Sequence, residues 1–110
     1  MDIPTPNREQ FSPVYVPSIL CPDSPIMFVG ESPAVMEERL LTPFVGRSGE
    51  VLDRILLLAG VERSRCSIAN ALPYRLLNQE EKPDTEVINL FIPHLYEQIA
   101  KVKPNIVIAL

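Results

Sequence analysis

Small and polar residues directly follow a short apolar run, in an arrangement that could bind a ligand through the backbone. The run at 26–29 is continuous, and Gly30, Glu31 and Ser32 come next. A glycine at the end of a strand lets the chain turn sharply, and successive N–H groups can then point at an acceptor. Because Gly-Glu-Ser-Pro is also an ordinary turn after a strand, this motif alone does not establish a site.

Three further side chains that could contact a ligand lie in predicted loops or at strand ends: Glu37, Phe44 and Asn70. A carboxylate in a loop is usually solvated, and an aromatic ring just before a helix usually belongs to the core. An asparagine that ends a strand normally caps the following loop. Each of these residues therefore has a structural explanation when it is taken alone.

The elements that must position these residues alternate between strand and helix. A continuous apolar run predicts a buried strand at 26–29, and the segments 66–71 and 105–110 are predicted to be the second and third strands. Helical spacing predicts a helix at 49–59, with Ser48 as its N-cap and Gly60 just after it. A second helix, capped by Asp84 or Thr85, should end before 104, with a kink or restart near 89–92 caused by Pro93. The segments 31–46 and 72–82 are predicted loops, with a helical turn at 35–41.

This order gives two consecutive βαβ units. The sequence therefore predicts an α/β fold with three layers, in which helices cover a short parallel sheet. Function should gather at the carboxyl ends of the strands. Residues 1–25 are rich in proline and predict an extended N-terminal arm, in which 14–16 could pair at a sheet edge.

Composition limits the classes of function. The chain has 110 residues, of which 46 % are hydrophobic, and these values predict one packed domain. The formal net charge of −4 disfavours a large nonspecific DNA footprint, although arginines lie near the motifs. No apolar run is long enough to cross a bilayer and no secretory signal is visible, so we expect a cytoplasmic location and no membrane partner. The two cysteines and the single histidine are too few and too dispersed for a metal site.

The motifs together form a specific series. In order, they are Gly-Glu-x-Pro, Glu37, Pro-Phe-Val-Gly-Arg-Ser-Gly at 43–49, a leucine-rich helix ending in Ala-Gly-Val, and Ile-Ala-Asn at 68–70. The tail adds Gln-Ile, Lys-Pro and a strand ending in Ala-Leu. This series resembles the uracil-DNA glycosylase superfamily, and is most similar to family 4. The resemblance spans about 26–110, so this part is predicted to be the N-terminal part of a glycosylase-like domain.

The resemblance implies a role for each matching residue. Phe44 would stack on a flipped uracil, Asn70 would pair with its O4 and N3–H, and Glu37 would exclude thymine. Gly30, Glu31 and Ser32 would contact the base, and backbone N–H groups near Glu31 and Ser32 would stabilise charge on uracil O2. Glu31 and Ser32 are also the predicted catalytic residues.

The resemblance further implies that a helix N-terminus meets a DNA phosphate. The residues at that position are Arg47, Ser48 and Gly49. The implied partner is DNA that contains uracil, either single or double stranded.

Several features depart from the family pattern. Family 4 enzymes carry an iron–sulfur cluster on four cysteines, but the matching positions here are not cysteine, so we predict no cofactor and no metal. Ser32 is a weak base, and of the basic loop after Asn70 only Arg75 remains. The chain ends before the family's histidine motif, which predicts a fold that is incomplete at its C-terminus. His94 is predicted to be a surface or half-buried helix residue that does not replace that histidine.

Two alternatives remain to an active glycosylase. One is a catalytically inactive glycosylase-like module that associates with DNA, as part of a larger polypeptide such as a viral replication protein. The other is an acidic domain for protein–protein interaction. Because the third strand would form an open edge, we also expect the domain to be completed by further polypeptide, to form a homo-oligomer or to be poorly soluble.

Overall fold

A computed structural model describes residues 3–4, 6 and 9–110 of the chain. Its strands and helices are, in chain order, β1 (Phe11–Tyr15), β2 (Ile26–Gly30), α1 (Val35–Leu40), α2 (Arg47–Ala59), β3 (Cys66–Asn70), β4 (Tyr74–Leu76), α3 (Thr85–Val102) and β5 (Ile106–Ala109). One 3-10 turn, Arg63–Arg65, precedes β3.

The predicted parallel sheet is present, and its strand order is β3-β2-β5. β2 is the central strand, and it pairs in parallel with both neighbours. Gly30 lies directly opposite Asn70 at the carboxyl ends of β2 and β3. The chain moves from β2 to one side and then crosses back to the other, which brings the two connecting helices to opposite faces. The prediction of an α/β fold is therefore confirmed.

Each face of the sheet packs against one helix. On one face, Leu52 and Leu56 of α2 are buried against Phe28 and Ile68. On the other face, Val102 at the end of α3 is buried against Met27 and Ala69. Alternate residues of the strands thus supply two separate apolar layers, as a strand's two-residue period requires. The result is the predicted arrangement of helix, sheet and helix.

The helix boundaries correct two predictions. α3 is assigned as one helix through Pro93, so the expected restart is wrong. Buried residues on both sides of the proline, Phe91 before it and Val102 after it, hold both halves in place. α2 begins at Arg47 with Gly46 at its N-cap, so the prediction of Ser48 as the cap is also wrong.

A second, smaller sheet was not predicted as such. β1 pairs antiparallel with β4, which lies inside the predicted loop 72–82. This ribbon packs on the first half of α3 through Phe11, Tyr74 and Phe91. The expectation that 14–16 pairs at an edge holds in part, because Tyr15 lies opposite Tyr74. Within the predicted arm at 1–25, residues 1, 2, 5, 7 and 8 lie outside the described part of the chain.

Candidate active site

A cavity of about 180 Å³ opens at the carboxyl ends of the parallel strands. Its position is the one at which open α/β sheets bind their ligands. The residues that line it are Gly30, Glu31, Ser32, Pro33, Ala34, Glu37, Phe44, Ser48, Asn70 and Leu110. The structure therefore brings together the six residues that the sequence predicted to contact a base, and adds Ser48 from the predicted phosphate-binding group.

Gly30 is the point at which an aromatic ring and an amide meet. A Cβ atom on Gly30 would overlap the Phe44 ring and would lie 2.7 Å from Asn70 Oδ1. Only a glycine leaves room for both groups here. Phe44 is 6 % exposed and Asn70 is 7 % exposed, so ring and amide are both largely withdrawn from water. They form one wall and one edge of the cavity.

The backbone of Phe44 adopts a left-handed conformation that is rare for a bulky residue. Its φ angle is +53°. A left-handed residue with a Cβ costs about 1–2 kcal/mol, so contacts elsewhere must stabilise it. Gly49 of α2 packs directly against the Phe44 carbonyl, and a Cβ on Gly49 would overlap that group. Gly49 is itself buried, and this contact accounts for the glycine at that position.

Arg63 also contacts this part of the chain. Its Nη2 donates to the carbonyl oxygens of Pro43 at 2.9 Å and Phe44 at 2.7 Å. Its Nη1 donates to Asp53 Oδ1 at 2.8 Å. Arg63 follows α2 in the 3-10 turn, about one helix length from Phe44 in the sequence. No motif pointed to this contact; the sequence showed only that Arg63 was one of several arginines in the region.

Glu37 is buried, and both oxygens of its carboxylate accept hydrogen bonds from the backbone. Oε2 accepts from the N–H of Val45 at 2.9 Å and from the N–H of Gly46. Oε1 accepts from the N–H of Ala34 at 3.0 Å, the reverse half of a capping box for α1. Burial by itself would raise the pKa of Glu37, but the three N–H donors outweigh it and hold the pKa below its ordinary value.

The remaining predicted site residues differ in exposure. Glu31 is exposed and Ser32 is half-buried, and both lie on the turn after β2. The carbonyl oxygen of Glu31 accepts from the N–H of Leu72 at 2.8 Å, which ties this turn to the residue after Asn70 and Ala71. Arg47 and Ser48 are exposed at the start of α2. Both side chains are therefore accessible beside the cavity.

Arg75 and His94, which the sequence analysis also considered, lie outside the cavity. Arg75 Nε pairs with Glu38 Oε2 at 3.2 Å, and both side chains are about one-fifth exposed, at 21 % and 20 %. His94 lies half-buried in α3, as the sequence predicted, and the structure adds edge contacts of its ring with Tyr15 and Phe91. Burial lowers the pKa of His94. Neither residue lines the cavity.

Comparison with known proteins identifies the family. The model of the uracil DNA glycosylase superfamily matches residues 17–110. The chain belongs to the uracil-DNA glycosylase superfamily. It is 36 % identical over 85 residues to a type-4 uracil-DNA glycosylase of Pyrobaculum aerophilum, which covers 77 % of this chain and 43 % of the relative. It is 34 % identical over 102 residues to that of Sulfurisphaera tokodaii, covering 92 % and 46 %.

A third relative gives the same result. The type-4 uracil-DNA glycosylase of Archaeoglobus fulgidus is 32 % identical over 96 residues, which is 87 % of this chain and 48 % of the relative. The resemblance to family 4 inferred from the motifs is therefore confirmed. The chain spans less than half the length of each of these curated relatives.

The prediction that the protein has no cofactor is wrong. The relatives are type-4 glycosylases, the iron–sulfur class, and membership of their family removes the basis for excluding a cluster. Within the described residues, no group of three or more His, Cys, Asp and Glu side chains is arranged to hold a metal ion. Burial, and then the neighbouring Cys21, raises the pKa of Cys66, which disfavours the thiolate that a metal requires. These residues do not supply a cluster site.

Over the part of the chain that the structure describes, no helix is both long and apolar enough to cross a membrane.

Proposed function

We propose that this chain forms the uracil-binding part of a uracil-DNA glycosylase that removes uracil from DNA in base excision repair. The observation that carries the proposal is that Phe44 and Asn70 both contact the position of Gly30 at the carboxyl ends of the parallel strands. Because the ring and the amide both lie next to Gly30, they can contact the face and the edge of the same planar base. In this proposal, residues 26–110 form the glycosylase-like domain and 1–25 its N-terminal arm.

The binding step begins with base flipping. A glycosylase must take the base out of the stack at a cost of a few kcal/mol, which stacking and hydrogen bonds in a close pocket offset. Phe44 offers a largely apolar face for the flipped base. The Asn70 amide carries a donor for uracil O4 and an acceptor for N3–H. Cytosine presents the opposite pattern at both atoms, so it would leave the buried amide unpaired.

Glu37 contributes to selectivity by filling space. It lines the cavity, and its carboxylate is fixed by three backbone donors. A side chain held this firmly cannot move aside for a 5-methyl group, which supports its proposed role in excluding thymine.

The chemical step requires stabilisation of negative charge on the leaving uracil. Backbone N–H groups in the turn at Glu31 and Ser32 are proposed to donate to uracil O2 as the glycosidic bond breaks. Water then adds to the sugar cation, and Ser32 is proposed to orient that water. None of these proposed steps depends on an iron–sulfur cluster.

The proposed partner is DNA, and Arg47 and Ser48 support this proposal because they are exposed beside the cavity at the N-terminus of α2. Gly49 belongs to the same proposed phosphate-binding turn through its backbone. A DNA substrate implies an intracellular, cytoplasmic location. Exposed apolar side chains on α2, among them Val51 and Leu58 at 60 % and 83 % exposure, support further polypeptide or a second copy as an additional partner.

The test is a uracil-excision assay with the full-length gene product. The wild type should convert a uracil-containing oligonucleotide to an abasic site, and Asn70→Ala should lower that rate by about 1000-fold because a buried pair of hydrogen bonds is lost. Asn78→Ala is the matched control, since Asn78 lies exposed in the loop after β4. Wild-type binding to uracil-containing DNA without excision would instead support the inactive DNA-associated module, and no DNA binding would support the interaction domain.

A further inference from the structure

We propose that Arg63 is a positioning residue that, together with Glu37, fixes the Phe44 ring against the cavity. The inference rests on the proposed function, because the ring is assigned there as the stacking surface for uracil. Arg63 does not line the cavity and would act only through the backbone that carries the ring. It would therefore control how well the site is preorganised, without touching the substrate.

The guanidinium of Arg63 reaches across from the 3-10 turn to two consecutive carbonyl groups. Nη2 lies 2.9 Å from Pro43 O and 2.7 Å from Phe44 O. Asp53 of α2 accepts from Nη1 at 2.8 Å and so holds the plane of the guanidinium in register. The Arg63 side chain is 28 % exposed, which leaves these bonds partly shielded from water. A planar fork of donors suits this geometry, whereas a lysine ammonium does not reproduce it.

Glu37 holds the other end of the same peptide group. The peptide that joins Phe44 to Val45 donates its N–H to Glu37 Oε2 at 2.9 Å, and its carbonyl oxygen accepts from Arg63. The cation thus meets the negative end of the peptide dipole and the carboxylate meets the positive end. Both contacts are charge-assisted and therefore stronger than neutral hydrogen bonds. Together they fix the orientation of this peptide plane.

The orientation of this peptide determines where the ring points. Phe44 has a φ angle of +53°, which a phenylalanine adopts only when its surroundings enforce it. Relaxation to a negative φ would swing the side chain away from Gly30 and Asn70. Gly49 blocks one direction of movement by packing on the Phe44 carbonyl, and Arg63 supplies the attraction that keeps the carbonyl there. Gly49 can only block movement of the Phe44 carbonyl toward α2. Without Arg63, no attraction from this side would hold the carbonyl in place.

The experiment compares Arg63→Gln with Arg65→Gln in the full-length gene product. Arg65 lies in the same 3-10 turn, but its side chain is 78 % exposed and pairs only loosely with Glu62 at 3.7 Å, which makes it the matched control. The first readout is structural and needs no substrate. A nuclear Overhauser contact between the Phe44 ring and the Gly30 Hα protons should be present in the wild type and in Arg65→Gln, and weakened or absent in Arg63→Gln.

The second readout is single-turnover uracil excision. Arg63→Gln should lower the rate by about 100-fold, the size of effect that a misplacement near 1 Å produces. In a Phe44→Leu background the same substitution should change the rate by no more than about twofold, because the ring that it positions is already gone. Arg63→Lys should behave as Arg63→Gln, since it keeps the charge and loses the fork. A purely structural role would instead give the same loss in both backgrounds.

The outcomes separate the two proposals. If the wild type excises no uracil, the proposed function fails, and the ring contact still decides the role of Arg63. If the Phe44–Gly30 contact is unchanged in Arg63→Gln, the positioning role is overturned even where excision falls. An Arg63→Gln protein that fails to fold is replaced by Asp53→Asn, which leaves both carbonyl contacts available but frees the guanidinium. This variant should weaken the ring contact in part, and an unchanged contact would count against the proposal.

Discussion

Arg63 and Glu37 bind opposite ends of a single peptide group, the one between Phe44 and Val45. Neither residue is near the other in sequence, and the peptide that they share belongs to a third segment. Their charges match the direction of the peptide dipole. Contacts from two other segments of the chain therefore stabilise the left-handed backbone conformation at Phe44, which its own segment would not favour alone.

The stability of the fold should depend on the ionisation of Glu37. Because its pKa is lower in the folded protein than the ordinary value of 4.5, the ionised carboxylate stabilises the fold at neutral pH. That contribution should be lost as the pH falls below the unfolded-state value and through the lower folded-state pKa. Glu37→Gln should lower the free energy of unfolding by about 1–3 kcal/mol at neutral pH, because an amide cannot satisfy all three donors. Chemical denaturation between pH 3 and pH 7 measures this.

Glu86→Gln provides the control for Glu37. Glu86 is an exposed carboxylate in the first turn of α3 and is not among the residues that line the cavity. Its substitution should leave the free energy of unfolding within about 0.5 kcal/mol of the wild type. If Glu37→Gln keeps the full acid-dependent loss of stability, the three backbone contacts do not stabilise the fold in the way inferred from their geometry.

Gly30→Ala should disrupt the site by overpacking it. The added methyl group would overlap the Phe44 ring and crowd Asn70, so one of them must move. We expect a loss of about 1–3 kcal/mol in the free energy of unfolding. Excision should fall by about 100-fold because ring and amide no longer converge.

Gly60→Ala separates this effect from a general cost of replacing glycine. Gly60 has a φ of +70°, and nothing lies within 4 Å of a Cβ built on it. Alanine there should cost about 1 kcal/mol of stability and leave excision unchanged. Equal losses of excision in the two variants would mean that Gly30 has no special relation to the site.

The ion pair of Arg75 and Glu38 should stabilise the attachment of α1 to the β1–β4 ribbon. A hydrogen bond from Ser12 and then the pairing with Arg75 hold the pKa of Glu38 below its ordinary value, although burial opposes them. Arg75→Gln should lower the free energy of unfolding by about 1 kcal/mol, with a smaller effect at high salt. Lys101→Gln is the control, since Lys101 is 67 % exposed and 3.7 Å from Glu97. A loss as large in the control would show that the Arg75 pair has no special weight.

Ser32→Ala should slow excision without weakening substrate binding, if Ser32 orients the attacking water. A serine is a weak base, so the expected fall in kcat is about tenfold, less than the effect of removing a strong general base. KM should stay unchanged, because the proposed contacts with the base come from Phe44, Asn70 and the backbone. Ser18→Ala, on the N-terminal arm, is the control. A rise in KM with constant kcat would reassign Ser32 to binding.

The parts of the fold that follow from local pattern were predicted well. β2 is a nearly continuous apolar run, β3 is a short segment of buried residues, and α2 repeats its buried leucines at helical spacing, so all three were predicted to within about two residues. β4 was missed because three residues carry little periodicity and their partner lies far away in β1. Pro93 was overweighted because the packing of Phe91 and Val102 overrides the local preference.

The site divides in the same way. The order and spacing of the motifs that contain Gly30, Phe44 and Asn70 were enough to predict that these residues share one site. The left-handed backbone of Phe44 and the reach of Arg63 could not be predicted, because both depend on contacts between segments. A charge near a motif says nothing about whether it faces water, a ligand or a carbonyl.

The pairing of Gly30 with Asn70 also governs what changes this protein can tolerate. The two residues meet only because β2 and β3 align without offset over their whole length. Side chains alternate between faces, so one residue inserted or deleted inside either strand would exchange the faces of that strand, and in β3 it would bring an alanine to the place of Asn70. Evolution can therefore lengthen or shorten the connecting loops, while a single-residue length change within these strands would abolish base recognition and core packing together.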